Sequence, residues 1–381
     1  MNTSIIFSHT ATGHVIEYFH HIYDMCRNCT DSRFVFVVPE DFESIMCNRH
    51  WEASDNISFD FLTEAETSAY KGAPILKLSK ELTKSLNSKI RKYKADKVLS
   101  LFWFPLVPYG VFEFPKSVRI SAIFYDVYLR EVDALSWKAR LRNVINFVLL
   151  SKSNVMDTCF ILNDANCAEA LNAKFHTSKF KYLPDPFNLI EGSGELDFRK
   201  ENDIDKEKII FAHFGGLSER KGTMIIMDSI SRLTEDEKQK YVFVFAGRVY
   251  NDIREQFYGS LEDVSGARII VKDEFCSDGY LKSLCESCNA ILMPYKSTNR
   301  SSGILGYASQ FQKPVIGPDN GLISDIIKSY GLGCRIDVNN LSELTKAYRD
   351  VADGYVPNPS TDYCERNSID SFCAAIRGSI I

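Results

Sequence analysis

The segment HFGGLSERKGT, residues 213–223, sets two glycines directly behind a strand-like apolar run and an Arg-Lys pair just ahead of a helical pattern. Gly215 and Gly216 permit positive φ and close approach of a ligand to the backbone. Arg220 offers a planar fork of donors and Lys221 a compact point charge. Glycine freedom, free amides at a helix start and two adjacent cations together make a cradle for a diphosphate. An ordinary strand-to-helix turn with two solvated cations has the same residues, and both readings stand. The spacing fits neither the G-x-x-x-x-G-K-[ST] nor the G-x-G-x-x-G phosphate motif. Two later loops also follow strand-like runs. One is AGRVYND (246–252), with Gly247 at the strand's end; the other holds NRSSGILGYASQFQKPVIG (299–317), where Ser302 and Gly303 open a helical pattern and no acidic residue occurs.

In the first half, SHTATGH places Gly13 and His14 between the first strand and the first helix. His14 can orient or protonate a reacting group, because imidazole titrates near neutral pH; it can equally be a helix-capping polar residue. Asp126 stands at the carboxyl end of the strand-like VRISAIF. That is the place for an acid/base or hydroxyl-positioning carboxylate, and also for an aspartate that caps the next helix.

These loops need a scaffold of strands, and the apolar runs supply it. SIIFSH (4–9), FVFVV (34–38), VLSLFW (98–103), VRISAIF (118–124) and TCFIL (158–162) alternate with helical patterns such as Val15, Ile16, Phe19, Ile22, Tyr23 and Cys26. Strand-helix alternation predicts a parallel sheet covered on both faces. After YLPDPFNLIEGSGELDFRKENDIDKEK, rich in Pro, Gly and charge like a linker, the rhythm restarts with KIIFAHF, YVFVFAG, ARIIV, NAILMPY and KPVIG. From Ser277 onward Tyr280, Leu281, Leu284, Cys285 and Cys288 make one apolar helical stripe, with Ser277 or Asp278 placed to cap it. The expected fold is α/β, with two doubly wound domains whose strand carboxyl ends face one another across a deep cleft.

Length and composition agree. A chain of 381 residues, 45% hydrophobic and 25% charged, suits two soluble domains rather than a disordered or fibrous chain. A formal charge of -5 offers no general attraction to nucleic acid. The start MNTSIIFSHTATGH has neither the basic flank nor the apolar run of a signal peptide, and VINFVLL (144–150) falls short of the roughly 20 residues of a membrane span. A cytoplasmic location is expected, where the eleven cysteines are thiols. Cys26 with Cys29 and Cys285 with Cys288 form C-x-x-C pairs, but inside helical patterns and without a third pair, so no zinc site is expected. Two basic stretches, 84–97 and 136–152, lie in the first half; the second mixes Lys138, Arg140 and Arg142 with Trp137 and an apolar run. An interfacial helix on anionic lipid has that composition, and so does a solvated helix face.

The motif order of the second half resembles the donor domain of GT-B nucleotide-sugar glycosyltransferases. It is most similar to the retaining glycosyltransferase family 4, the "glycosyl transferases group 1" set. A glycine turn with Arg-Lys-Gly, a strand ending in Ala-Gly, a loop closing on Phe275, a helix, a strand ending in Pro-Tyr, a Ser-Gly helix start and a Lys-Pro-Val-Ile strand carry the likeness over residues 183–352, with PDPFN (184–188) as the interdomain turn. The resemblance implies a nucleoside-diphosphate sugar as co-substrate, with Gly216, Arg220 and Lys221 on the diphosphate and Gly215 and Gly247 also in the donor site. It places Lys272 to Phe275 at the base and Ser302 and Gly303 on phosphate. The family's two glutamates, eight positions apart, fall on Asn299 and Tyr307 here, so the carboxylates for sugar and ribose diol are both replaced.

By resemblance the domains run 1–184 (acceptor side), 185–355 (donor side) and 356–381 (a helix returning to the first domain). The implied activity is transfer of a sugar to a hydroxyl of a glycan or lipid-linked acceptor, without a required metal because Arg220, Lys221 and helix amides can stabilise the leaving diphosphate. A non-hydrolysing nucleotide-sugar epimerase on the same fold, or a non-catalytic nucleotide- or glycan-binding partner of another transferase, remains as an alternative.

Overall fold

Apolar side chains in these strands alternate between two buried faces, which is why the runs are continuous rather than every second residue. In strand β1 (Asn2–Phe7), Ile5 and Phe7 enter one core and Ile6 the other. The computed structural model describes residues 2–11, 14–70, 72–125, 127–130, 135–192 and 197–381, without the side chains of His14, Tyr70 and Tyr128. The chain divides into two units, one of Met1–Pro186 with Ile369–Ile381 and one of Phe187–Ser368.

In the first unit, β1 is followed by β2 (Ser32–Pro39), β3 (Ile57–Leu62), β4 (Lys97–Ser100), β5 (Arg119–Phe124), β6 (Met156–Leu162) and β7 (Phe180–Leu183). They form one parallel sheet in the order β3-β2-β1-β4-β5-β6-β7, so the strand order reverses beside β1 and β4. Helix Ile75–Tyr93 packs Leu82, Leu86 and Ile90 on one face of the sheet. Helix His14–Arg27 packs Tyr18, Phe19, Ile22 and Tyr23 on the other.

The second unit repeats the plan with β8 (Ile209–Phe214), β9 (Tyr241–Ala246), β10 (Arg268–Lys272), β11 (Ala290–Leu292), β12 (Val315–Pro318) and β13 (Gly333–Ile336), all parallel, in the order β10-β9-β8-β11-β12-β13. Its reversal lies between β8 and β11. Open parallel sheets bind ligands at such a point, beyond the strand carboxyl ends.

Residues 356–381, expected as one returning segment, divide between the units. Helix Asp362–Arg366 stays in the second, where the Cys364 amide donates to Ser309 Oγ at 3.1 Å. Helix Ile369–Arg377 belongs to the first: Phe372, Ile376 and Ile380 are buried with Tyr18, and Ser4 Oγ donates to the Ile380 carbonyl at 2.6 Å. The chain changes unit at Pro186/Phe187 and again at Ser368/Ile369. Among the described residues, no helix is long and apolar enough to cross a membrane.

Candidate functional site

The turn after β8 is fixed from below by a histidine. In IIFAHF, His213 is the one polar residue; it is fully buried, with Nδ1 2.9 Å from the Leu292 carbonyl and Nε2 3.0 Å from Thr223 Oγ1. The carbonyl can only accept, so Nδ1 carries the proton and the Thr223 hydroxyl donates to Nε2. Thr223 Oγ1 in turn accepts from the Ser218 amide at 3.1 Å. Burial, reinforced by the charge of Lys221, lowers the imidazole to about 4 and keeps it neutral. Strand β11, the start of helix Thr223–Ile230 and the loop between them and β8 are thereby tied together.

That loop closes tightly on the neighbouring one. Leu217 and Val249 pair as an isolated bridge, and a Cβ on Gly247, at φ +133, would stand 2.0 Å from the Gly215 carbonyl oxygen. Gly215 itself has φ +92, and its missing Cβ leaves room for the Lys221 ammonium, 2.7 Å from where that carbon would be. Lys221 Nζ and Arg220 Cζ lie 5.6 Å and 5.9 Å from the Tyr295 ring centroid. The Tyr295 hydroxyl is 3.3 Å from Ser302 Oγ. Glu219, the nearest acid in sequence, is paired with Lys296 instead. Among the described residues neither Arg220 nor Lys221 has a carboxylate partner. Two adjacent cations over an aromatic face, beside a bare glycine backbone, are equipped to take an anion from outside the chain.

A cavity of about 470 Å³ opens beside this turn, lined by Gly215, Gly216, Gly247, Arg248, Tyr250, Phe275, Asp278 and Tyr307 among others. Phe275 is 87% exposed, an aromatic face left open at the rim. Tyr307 is wedged edge-on against Phe187 and Phe214, at 5.0 Å and 5.5 Å between centroids. Burial and then the Asp278 charge push its phenol up to about 12, so the hydroxyl remains a neutral donor and acceptor.

The structure thus gathers Gly215, Gly216, Gly247, Phe275 and Tyr307 on one cavity, with Arg220, Lys221 and Ser302 grouped around Tyr295 next to the same turn. Lys272 is engaged elsewhere: its ammonium is 2.8 Å from Glu274 and 4.5 Å over the Tyr280 ring. Asn299 is half-buried and lines none of this cavity; Gly303 is exposed, with open space where its Cβ would be.

The sequence offers two candidates, Ser277 and Asp278, for one helix cap. In the structure Ser277 caps the helix Asp278–Ser287, its hydroxyl accepting from the Tyr280 amide at 3.3 Å. Asp278 is left exposed on the cavity wall, without a hydrogen bond or ion pair among the described residues. The signal that could have found it is the redundancy of Ser-Asp at one cap, which releases one of the two side chains.

In the first unit Gly13 and Asp126 lie outside the described residues, as does the His14 side chain; His14 is described only as the first residue of its helix. Just past the carboxyl ends of β1, β4 and β5 stand His9, Phe102 and Tyr125, with the His9 and Tyr125 rings each 5.6 Å from that of Phe102. Burial lowers the His9 imidazole to about 4 and raises the Tyr125 phenol. Tyr125 stacks on Tyr18 at 6.0 Å, whose hydroxyl donates to Asp185 at 2.5 Å. The sequence reading missed these aromatic residues because they look like continuations of the strands.

No family model matches the sequence, and no curated protein does. Solved structures do. WaaG, a glycosyltransferase involved in lipopolysaccharide biosynthesis, has a TM-score of 0.65 at 13% identity, over 99% of this chain and 98% of its own. HepE of Anabaena, in complex with UDP and glucose, has 0.66 at 13% identity over 100% and 99%. The trehalose-6-phosphate synthase OtsA has 0.66 at 10% identity over 99% and 98%. Likeness at such identities defines the architecture, and that architecture is the GT-B fold, two Rossmann-like α/β units in one chain.

Proposed function

We propose that the chain is a glycosyltransferase, a hexosyltransferase acting from a nucleoside-diphosphate sugar on a hydroxyl of a glycan or lipid-linked acceptor, at the cytoplasmic side of a membrane where cell-surface polysaccharide is made. The observation that carries the reading is the pair Arg220 and Lys221, unpaired with any described carboxylate, beside the Gly215 turn at the strand reversal of the second unit. HepE, on the same fold, has been solved in complex with UDP and with UDP-glucose, a donor of the same class.

In that reaction the bond from the anomeric carbon to the diphosphate oxygen breaks and a bond from the acceptor oxygen forms. Negative charge grows on the leaving diphosphate, where Lys221 and Arg220 stabilise it without a metal being required. Ser302 adds a hydroxyl near the same ring. Asp126 and His14 are assigned to the acceptor hydroxyl, to orient it and take its proton. Retention of anomeric configuration belongs to the reading through the family resemblance.

The cavity beside the turn takes the nucleoside, with the open Phe275 ring at the base. Asp278 is assigned to the ribose diol. A carboxylate accepts from two adjacent hydroxyls, and this one comes from the start of helix Asp278–Ser287 instead of position 307, which Tyr307 fills.

The test is a panel of UDP-, GDP- and related nucleotide sugars incubated with the protein and a mixed glycan acceptor, read by mass spectrometry. Free nucleoside diphosphate with a sugar-extended acceptor supports transfer. An isomerised donor with its diphosphate intact would move the assignment to an epimerase, and absence of turnover and of nucleotide binding would overturn the reading.

A further inference from the structure

Helix Trp137–Lys152 of the first unit is anchored on one side and apolar on the other. Phe147 and Leu150 are buried; the Phe147 ring contacts Phe104, Phe124 and Phe180 at 6.3, 6.1 and 5.7 Å. On the outer side Trp137, Leu141, Ile145 and Val148 are exposed, Trp137 by 69% and Leu141 by 52%. At about 100° per residue these four fall within an arc of ~80°, so they form a single row. Ile75 and Leu76, at the start of helix Ile75–Tyr93, are likewise exposed, and the two helices border an open groove of about 840 Å³ whose wall is mostly apolar, with Lys138, Arg142, Asn143 and Asn146 also on it. Scattered surface leucines need no explanation, but a contiguous apolar face of this kind does.

Charge decides what covers it. Helix Trp137–Lys152 contains Lys138, Arg140, Arg142 and Lys152 and no acidic residue, in a chain whose net charge is -5. On the helical wheel Lys138 and Arg142 flank one side of the apolar row and Arg140 the other. Lys77, Lys80 and Lys84 are exposed along the neighbouring helix. Trp137 opens the helix behind its Ser136 cap, with the Lys138 ammonium 5.6 Å from the ring centroid. An apolar row edged by cations and led by a tryptophan matches a bilayer interface, where acyl chains meet anionic headgroups.

We propose that this face, the row Trp137, Leu141, Ile145 and Val148 with the groove beside Ile75 and Leu76, seats the protein on an anionic lipid bilayer. The inference is independent of the donor-site reading. The two other tryptophans, Trp51 and Trp103, are buried, so Trp137 is an intrinsic reporter. Vesicles of phosphatidylcholine with 30% phosphatidylglycerol are expected to sediment the protein and shift Trp137 emission to the blue, with pure phosphatidylcholine doing markedly less.

Leu141→Ser with Ile145→Ser is expected to weaken vesicle binding ~10-fold or more. Lys138→Gln with Arg142→Gln should weaken it similarly on anionic vesicles only. All four side chains are on the surface, so each double variant should keep the wild-type melting temperature. No sedimentation with anionic vesicles, or binding unchanged by both double variants, overturns the proposal. So does a concentration-dependent dimer that the Leu141/Ile145 variant abolishes, which would make the face a contact between copies.

Discussion

The Lys221 ammonium lies 2.7 Å from the point where a Cβ on Gly215 would stand. One residue type at 215 therefore decides where the charge of another can go, and the diphosphate cradle is a property of the pair. The Gly215→Ala change forces that ammonium aside and strains a backbone at φ +92, at about 1–3 kcal/mol. The expected result is a lower melting temperature together with loss of nucleoside-diphosphate affinity, both measurable in one thermal-shift series with and without nucleotide.

Gly247 and Gly303 should behave oppositely. A Cβ at 247 would collide with the Gly215 carbonyl, while at 303 it meets nothing within 4 Å. The Gly247→Ala variant is expected to fold poorly or melt well below wild type. For Gly303→Ala the melting temperature should stay within a degree or two, since an uncrowded surface change is worth less than about 0.5 kcal/mol.

Asp278 should set discrimination for the ribose. Wild type is expected to bind a nucleoside diphosphate ~10-fold or more tightly than its 2′,3′-dideoxy analogue, as a charge-assisted bond is worth about 1.5–3 kcal/mol. Asp278→Asn should erase most of that difference by weakening the ribonucleotide alone. Equal discrimination in wild type and variant, measured by titration calorimetry, would remove Asp278 from the ribose site and leave the phosphate cradle untouched.

Acid should loosen the second unit through His213. Its folded value of about 4 lies below the 6.5 of an exposed imidazole, so between those values the unfolded chain binds the extra proton. Stability is complete above pH ~6.5 and falls as pH drops toward ~4, by up to about 3 kcal/mol at full burial. His9, lowered to the same degree by burial, adds a slope of the same sign in the first unit. Melting temperatures from pH 7 to 4.5 should therefore fall less steeply in His213→Gln than in wild type, without becoming flat.

Much of the architecture was legible because central strands are buried on both faces and read as unbroken apolar runs. The three strands missed, β3, β7 and β13, are edge strands. In β3 the run is broken by Ser58 and Asp60, the latter buried against Lys89 at 2.7 Å. Strand β13 starts at a glycine and includes Arg335. The glycine turn and its cations were visible as a local motif, since everything that makes them lies within eleven residues. His213, Asp278 and the engagement of Lys272 with Glu274 and Tyr280 were not, because each depends on which of several candidate partners a side chain meets after folding.

On the proposed reading, Lys221 and Arg220 hold the diphosphate of a nucleotide at the Gly215 turn. Calorimetric titration of wild type and Lys221→Ala with UDP and GDP tests it most directly. Wild type is expected to bind at least one of them, and Lys221→Ala, with an unchanged melting temperature in the absence of ligand, to lose ~10-fold or more in affinity. Failure of wild type to bind either nucleotide, or equal affinity in the variant, would contradict it.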